Sequence, residues 1–356
     1  MGATIRCCSS PPPTLPFVHK VLRLIIAISA VAASLASTGA VPVLRSEYEA
    51  FIEEMGKKHA YDAGLLRKLF AQVQTRPAIV RAMSAPATAR PWHEFRRRIV
   101  EPGRIEAGVR FWAENSLVVE RASREFGVPG EILVATIGIE TLYGRNTGNF
   151  KVLDALSTLA FDYPPRADFF RSELEEYLLL AREAGLDAGD LRGSYAAAIG
   201  LPQFIPSSYR KYAIDFDGDG RRDLVNSVAD AVGSIANYYR SFGWTTGAKV
   251  VLPAMTGDAD MSALLAAGLR PHTKIGELKA RGVVVQEAVD ENAEAAVFSV
   301  ETEAGPRVML GLNNFYVITR YNRSVNYAMA VYELAEAIRT QFQAATIGRA
   351  DSPSER

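Results

Sequence analysis

Cysteine is almost missing from this chain: the only two, Cys7 and Cys8, fall within its first ten residues. Histidine is nearly as scarce, with His19 near the start and His59, His93 and His272 far apart beyond it. Past residue 40 these absences exclude a thiol nucleophile, a disulfide framework and a Cys/His zinc site, and they leave few candidates for a histidine-based triad. No Gly-x-Ser-x-Gly elbow occurs, and Gly218-Asp-Gly220 is followed by Asp223 where a dinucleotide loop would need its third glycine. An excess of one charge is missing too. With 40 Lys and Arg against 40 Asp and Glu, there is no electrostatic footprint for nucleic acid.

Long hydrophobic runs are also absent. The apolar run Leu24 to Ala36 falls short of the roughly 20 residues that a membrane-spanning helix requires. It follows Arg6, Lys20 and Arg23 and precedes the small residues Ser37, Thr38, Gly39 and Ala40, the pattern of a secretory signal peptide over residues 1–40. Both cysteines precede the run, whereas an acylated lipoprotein cysteine would follow it, so no stable membrane anchor is expected. Losing the leader removes three basic groups and no acidic one, leaving an exported chain with a net charge of about −3. The expectation is a free periplasmic protein. At 356 residues and 48% hydrophobic content, it can bury a sizeable core in more than one lobe.

What is present points to one carboxylate. Glu140 sits in Ile137-Gly-Ile-Glu-Thr-Leu-Tyr-Gly144, near the end of a helix predicted from Pro129 to Tyr143 with Gly144 as its stop. Leu133, Thr136, Ile137 and Glu140 fall at three- and four-residue spacing, which puts the glutamate on the apolar face. Desolvation and the negative helix end both disfavour its ionised form, as suits a general acid near neutral pH. The competing reading is a core carboxylate paired with Arg145 or Arg166.

Two further segments carry chemistry. Pro202-Gln-Phe-Ile-Pro206 cannot be helical through both prolines, so Gln203 and Phe204 are expected on a bend that faces another part of the molecule or its surroundings, or on a plain helix connection. Asp215, Asp217 and Asp219 with Gly220 follow positions 1, 3, 5 and 6 of an EF-hand loop. Arg221 would offer its carbonyl, and Asp223 or Asp230 would complete the shell around a structural calcium ion. Asn226 stands where the bidentate glutamate usually does, so a charged surface turn is the alternative.

Helical periodicity fills residues 46–82, 104–126 and 172–184, while strand patterns follow Gly247 at Val250 to Leu252, Val283 to Val285, Ala296 to Val300 and Arg307 to Leu310. A last helix is expected from Val325 to Thr340, with a disordered tail after it.

These residues resemble the B-type lytic murein transglycosylases, which cleave peptidoglycan between N-acetylmuramic acid and N-acetylglucosamine. The resemblance runs over nearly the whole chain beyond the leader. It is carried by Phe111-Trp112, Ile137 to Gly144, Leu153-Asp-Ala-Leu-Ser-Thr-Leu159, Asp162-Tyr-Pro-Pro-Arg166, Gln203 to Tyr209, Asp215 to Asp219, Ile235-Ala-Asn-Tyr238 and Asn314 to Asn322. Leu201-Pro202 departs from the tyrosine and glycine often found there, and the calcium loop is one residue longer than the family pattern.

The resemblance implies an α+β, mainly α fold: an N-terminal helical domain (41–128), a lysozyme-like core with the calcium loop (129–248), a small antiparallel β domain (249–310), a return to the core with a closing helix (311–345), and a tail (346–356). It makes Glu140 the single catalytic acid, with Ser194 close by. Gln203, Tyr238, Tyr321, Asn322 and Tyr327 would line the saccharide groove, and Arg166 would contact the glycan or its peptide stem. The partners implied are peptidoglycan glycan strands and a wall-synthesis complex, met by a monomer with no separate wall-binding module. Two rivals remain open: a hydrolytic muramidase using Asp154 or Asp162 as a second carboxylate, and a wall-binding protein without catalysis.

Overall fold

The computed structural model describes residues 44–84, 90–256 and 261–350. The predicted leader, both cysteines and residues 351–356 lie outside them. Six helices come first: α1 (Ser46–His59), α2 (Ala63–Phe70), α3 (Pro77–Ser84), α4 (Trp92–Ile99), α5 (Pro102–Glu114) and α6 (Ser116–Phe126). On α1, Tyr48, Phe51, Ile52 and Met55 recur at helical spacing and are all buried, each such side chain stabilising the fold by about 1.5–3 kcal/mol. Asp62 caps α2 by accepting the Leu65 N–H at 2.6 Å. Gly127, at φ 71°, ends α6 in the left-handed conformation that costs glycine least.

The central part follows: α7 (Gly130–Thr141), β1 (Phe150–Lys151), α8 (Val152–Asp162), α9 (Ala167–Ala184), β2 (Arg192–Gly193), α10 (Pro206–Tyr212) and α11 (Val228–Ser241). Every residue of α7 from Ile132 to Gly138 is buried, as a helix apolar on all sides must be. The α7 helix stops two residues before the predicted end, because Leu142 and Tyr143 adopt left-handed φ values of 52° and 60°. Tyr143 thereby folds back against Gly138, where a Cβ would collide with its ring, and its hydroxyl donates to the Arg104 carbonyl at 2.9 Å.

The strand-forming segment contains β3 (Val251–Pro253), β4 (Met255–Thr256), α12 (Met261–Ala266), β5 (Thr273–Lys274), α13 (Ile275–Ala280), β6 (Val283–Val284), β7 (Glu294–Thr302) and β8 (Gly305–Gly311). Its main sheet is antiparallel in the order β3-β8-β7-β5, with β4 and β6 pairing separately. Leu252, Ile275, Leu278, Val297 and Leu310 form a small apolar cluster of their own, apart from the main core. The two short helices here were not expected from the sequence.

The chain then returns through α14 (Asn313–Tyr321) to α15 (Val325–Ala350). Helix α15 packs against α5 and α7. It runs about ten residues past its predicted end, through the start of the expected tail, since nothing in 341–347 breaks a helix and Phe342 stacks on Trp112 with centroids 4.3 Å apart. The protein is therefore mainly helical, with small antiparallel sheets. No helix among the described residues is long and apolar enough to cross a membrane.

Candidate active site

Glu140 occupies the last turn of α7, one residue before its end. The residue is neither buried nor fully exposed, but protein surrounds its carboxyl closely enough that desolvation pushes its pKa up to about 7. The Tyr327 hydroxyl, from α15, opposes that rise by donating to Oε1 at 2.6 Å. No arginine or lysine pairs with Glu140 among the described residues. Arg145 is exposed, and Arg166 lies over the Phe169 ring at 4.2 Å. The structural ion-pair reading of Glu140 is thus removed. A protonatable acid with one neutral donor can lend a proton and take it back.

Around it stands a wall of tyrosines drawn from three helices. Tyr321 stacks on Tyr327 with centroids 6.2 Å apart and meets Tyr238 at 5.0 Å and Tyr239 at 5.6 Å. The hydroxyls are anchored: Tyr238 donates to the Arg320 carbonyl at 2.7 Å, Tyr321 to the Pro202 carbonyl, and Tyr239 shares a 2.9 Å hydrogen bond with Thr136 on α7. Burial raises the pKa of all four, keeping them neutral. Tyr238 and Tyr327 are mostly enclosed. Asn322 is exposed at the C-terminus of α14 and, among the described residues, has no side-chain hydrogen-bond partner.

Gln203 sits on the predicted bend at φ 50°, a strained conformation that costs of order 1–3 kcal/mol and needs outside support. That support is visible. Its side-chain amide donates to the Thr147 carbonyl at 3.1 Å and the Gly200 carbonyl at 2.9 Å, and Phe204 packs on Tyr238 and Tyr321. Thr141, next to Glu140, donates to the Leu201 carbonyl at 3.1 Å and fastens this bend to α7. Gly200 is required where it stands, since a Cβ would strike the Leu224 carbonyl. Ser194 begins the adjoining turn, its Oγ accepting the Ala198 N–H at 3.1 Å, with no hydrogen bond to Glu140.

Both candidates for a second acid are occupied. Asp154 is buried and accepts the Gln74 N–H at 2.9 Å and the Arg76 guanidinium at 3.3 Å, while Asp162 meets Arg45 at 2.9 Å. Each carboxylate ties the N-terminal helices to α8.

In the acidic loop, oxygens of Asp215, Asp217 and Asp230 come within 4.8 Å of one another. Asp230 is fully buried at the start of α11 and accepts N–H groups from Phe216 at 2.7 Å and Asp223 at 2.7 Å. Desolvation raises its pKa and the Asp217 charge adds to that rise, a repulsion that a bound cation would relieve. Three hard, acceptor-only carboxylates suit calcium better than a soft metal. Asp219 lies outside this grouping, its Oδ1 taken by the Arg221 N–H at 2.8 Å, and Asp223 caps its own turn through Val225 and Asn226.

The family model for the transglycosylase SLT domain matches residues 44–336. The chain belongs to this family. It is 40% identical over 298 residues to the membrane-bound lytic murein transglycosylase B of Escherichia coli K12, covering 81% of each chain. Among solved structures, the catenated lytic transglycosylase SltB1 from Pseudomonas aeruginosa is similar at 45% identity with a TM-score of 0.80, over 84% of this chain and 98% of that one. The Escherichia coli lytic transglycosylase Slt35 in complex with calcium aligns at 37% identity with a TM-score of 0.77, over 83% and 94%.

Tyr239 beside Glu140 and Glu173, which bonds the start of α10, escaped the sequence reading of this transglycosylase-family chain, while Thr136 was placed on the Glu140 face of α7 without a role. Tyr239 and Thr136 form the polar contact behind Glu140, and Glu173 on α9, 3% exposed, accepts from Ser207 Oγ at 2.6 Å and Ser207 N–H at 2.9 Å. Thr136 shares the Glu140 face of α7, which was a usable signal. Glu173 had none, because its partner is 34 positions away.

Proposed function

We propose that this chain cleaves the β-1,4 bond between N-acetylmuramic acid and N-acetylglucosamine in peptidoglycan without consuming water, with Glu140 acting first as acid and then as base. The observation that supports it best is a lone carboxylic acid with its pKa pushed up to about 7, set against Asp154 and Asp162 tied into ion pairs. Glu140 donates its proton to the glycosidic oxygen as the C1–O bond breaks and positive charge grows on the muramoyl ring. The carboxylate then accepts the proton of the muramoyl 6-hydroxyl as that oxygen bonds to C1. A 1,6-anhydro end results and Glu140 is protonated again.

Ser194, Gln203, Tyr238, Tyr321, Asn322 and Tyr327 are the proposed saccharide contacts, and Arg166 contacts the glycan or its stem. Asp215, Asp217 and Asp230 would hold a calcium ion, with Asp219 and the Arg221 carbonyl nearby. The ion's role would be to pin the loop between α10 and α11, which carries no chemistry itself. We read residues 1–40 as the export signal, 41–128 and 129–248 as N-terminal and catalytic regions, 249–310 as the β region, and the place of action as the periplasm.

Mass spectrometry of soluble products from purified peptidoglycan tests the reading. Anhydro ends from wild type and none from Glu140→Gln are expected; reducing ends would replace this reading with hydrolysis, and absence of products with a binding role.

A further inference from the structure

Just past Glu140 and Thr141, three successive residues, Leu142, Tyr143 and Gly144, hold left-handed φ values of 52°, 60° and 86°. Glycine adopts such a backbone freely, but leucine and tyrosine keep it only under outside constraint. Part of that constraint is local: the Gly144 N–H donates to Thr141 Oγ1 at 3.0 Å, and the Asn146 N–H to the Thr141 carbonyl at 2.9 Å. The rest comes from the Tyr143 side chain.

Its ring turns back into a slot shaped by two glycines on two helices. A Cβ on Gly138 of α7 would lie 2.5 Å from the ring's Cζ, and one on Gly108 of α5 would lie 2.5 Å from its hydroxyl oxygen and 2.6 Å from Ile338 of α15. Glycine inside a helix is unfavourable relative to alanine, so both helices give up stability to admit this ring. Phe111 of α5 packs on it with centroids 5.5 Å apart, and the hydroxyl donates to the Arg104 carbonyl, also on α5, at 2.9 Å. Burial raises the pKa of that hydroxyl and keeps it a neutral donor.

Gly138 and Glu140 are two positions apart, roughly 200° around a helix, so the slot lies behind α7, on the side away from the glutamate. From there Tyr143 acts on the course of the last turn of α7 and not on a ligand at Glu140. Helix α15 joins the two sides: Tyr327 meets the carboxyl in front, and Ile338 closes the slot behind.

We infer that Tyr143 is a positioning residue for Glu140: seated between Gly108 and Gly138, it locks the end of α7 so that the carboxyl stays enclosed and aimed. Through Arg104, Gly108 and Phe111, helix α5 thereby takes part in catalysis. That consequence rests on the proposed function, but the test also reads the carboxyl directly. Tyr143→Phe, Tyr143→Ala, Gly138→Ala and the double variant Gly138→Ala/Tyr143→Ala are compared by release of anhydro products and by ¹³C NMR titration of the Glu140 carboxyl. Tyr143→Phe, whose ring still fills the slot, should lower kcat several-fold with KM within about twofold. Tyr143→Ala and Gly138→Ala should each lower kcat by about tenfold or more and move the Glu140 titration from about 7 toward the ordinary carboxyl range as water reaches it. The double variant should do no worse than Tyr143→Ala alone, because the new methyl enters space that the ring has left.

A Glu140 titration unmoved in Gly138→Ala, or additive losses in the double variant, would overturn the inference. So would an unchanged kcat in Tyr143→Phe, which decides the matter by itself should the alanine variants fail to fold. A merely structural role would lower Tm and leave the titration in place. A wild type that leaves no anhydro ends would overturn the catalytic reading alone, because the titration is read without cleavage.

Discussion

The hydroxyl of Tyr327 donates a 2.6 Å hydrogen bond to Oε1 of Glu140 across 187 positions of sequence. It aims the carboxyl and, by favouring the ionised form, holds its pKa below the level burial alone would set. Tyr327→Phe should lower kcat by about tenfold or more, roughly 1.4 kcal/mol of transition-state stabilisation, and move the alkaline limb of the pH–rate profile upward. A profile unchanged in position would mean that Tyr327 serves packing only.

Glu140 itself predicts a pH dependence with a definite sign. Its first step needs the protonated acid, so cleavage should fall as pH rises through about 7. Stability follows the same direction: the folded acid binds its proton more tightly than the unfolded one, so stability is lost as pH rises from the ordinary carboxyl range through about 7. Glu140→Gln should remove that loss and be more stable than wild type at pH 8, by up to about 3 kcal/mol from the linkage relation. Thermal melts at pH 5 and pH 8 read it.

The acidic loop separates two roles. Asp230 accepts backbone N–H groups from Phe216, Asp217 and Asp223 whether or not a cation is bound. Asp230→Asn should therefore destabilise by about 2–4 kcal/mol even in chelator, because an amide donor then faces N–H groups. Asp217→Asn, at an exposed position, should melt near wild type in chelator and lose most of the rise in Tm that added calcium brings. Equal calcium responses in wild type and Asp217→Asn would remove Asp217 from the ion's shell.

Glu173 caps a helix that has no cap of its own. Ile205 precedes α10 without a side-chain hydrogen bond, and the Glu173 carboxylate takes both the backbone and hydroxyl donors of Ser207. Because α10 follows directly on the strained Gln203 bend, Glu173→Ala should raise KM for glycan strands several-fold and cost about 1–3 kcal/mol of stability. Glu173→Gln, which keeps one acceptor oxygen, should recover much of the KM. Loss of stability with KM unchanged would confine Glu173 to a structural part.

Some of this architecture was readable because its cause is local. The α7 helix announced itself by Pro129 and Glu131 at its start and an apolar run behind them, and the long strands β7 and β8 by their valines and alternation. The helical character of Asn313 to Tyr321 was not readable, since an aromatic and polar stretch has no clean period; buried Asn314 instead bonds Thr245 and Ala248 across the fold. Leu142 gave no sign of ending α7. Its left-handed backbone is held by Tyr143 packing on Gly138 and by the Gly144 N–H bonding Thr141.

By itself, then, the sequence determined which residues must be inside, which carboxylate sits in the same apolar helix as Leu133 and Ile137, and where three aspartates alternate in one loop. Each follows from spacing along the chain. The tertiary structure alone decided that Tyr327 and not an arginine meets Glu140, that Asp154 and Asp162 are committed elsewhere, and that Asp230 and not Asp219 joins Asp215 and Asp217. Those outcomes depend on which helices pack together, and a pairing across 187 residues leaves no periodic trace in the sequence that makes it.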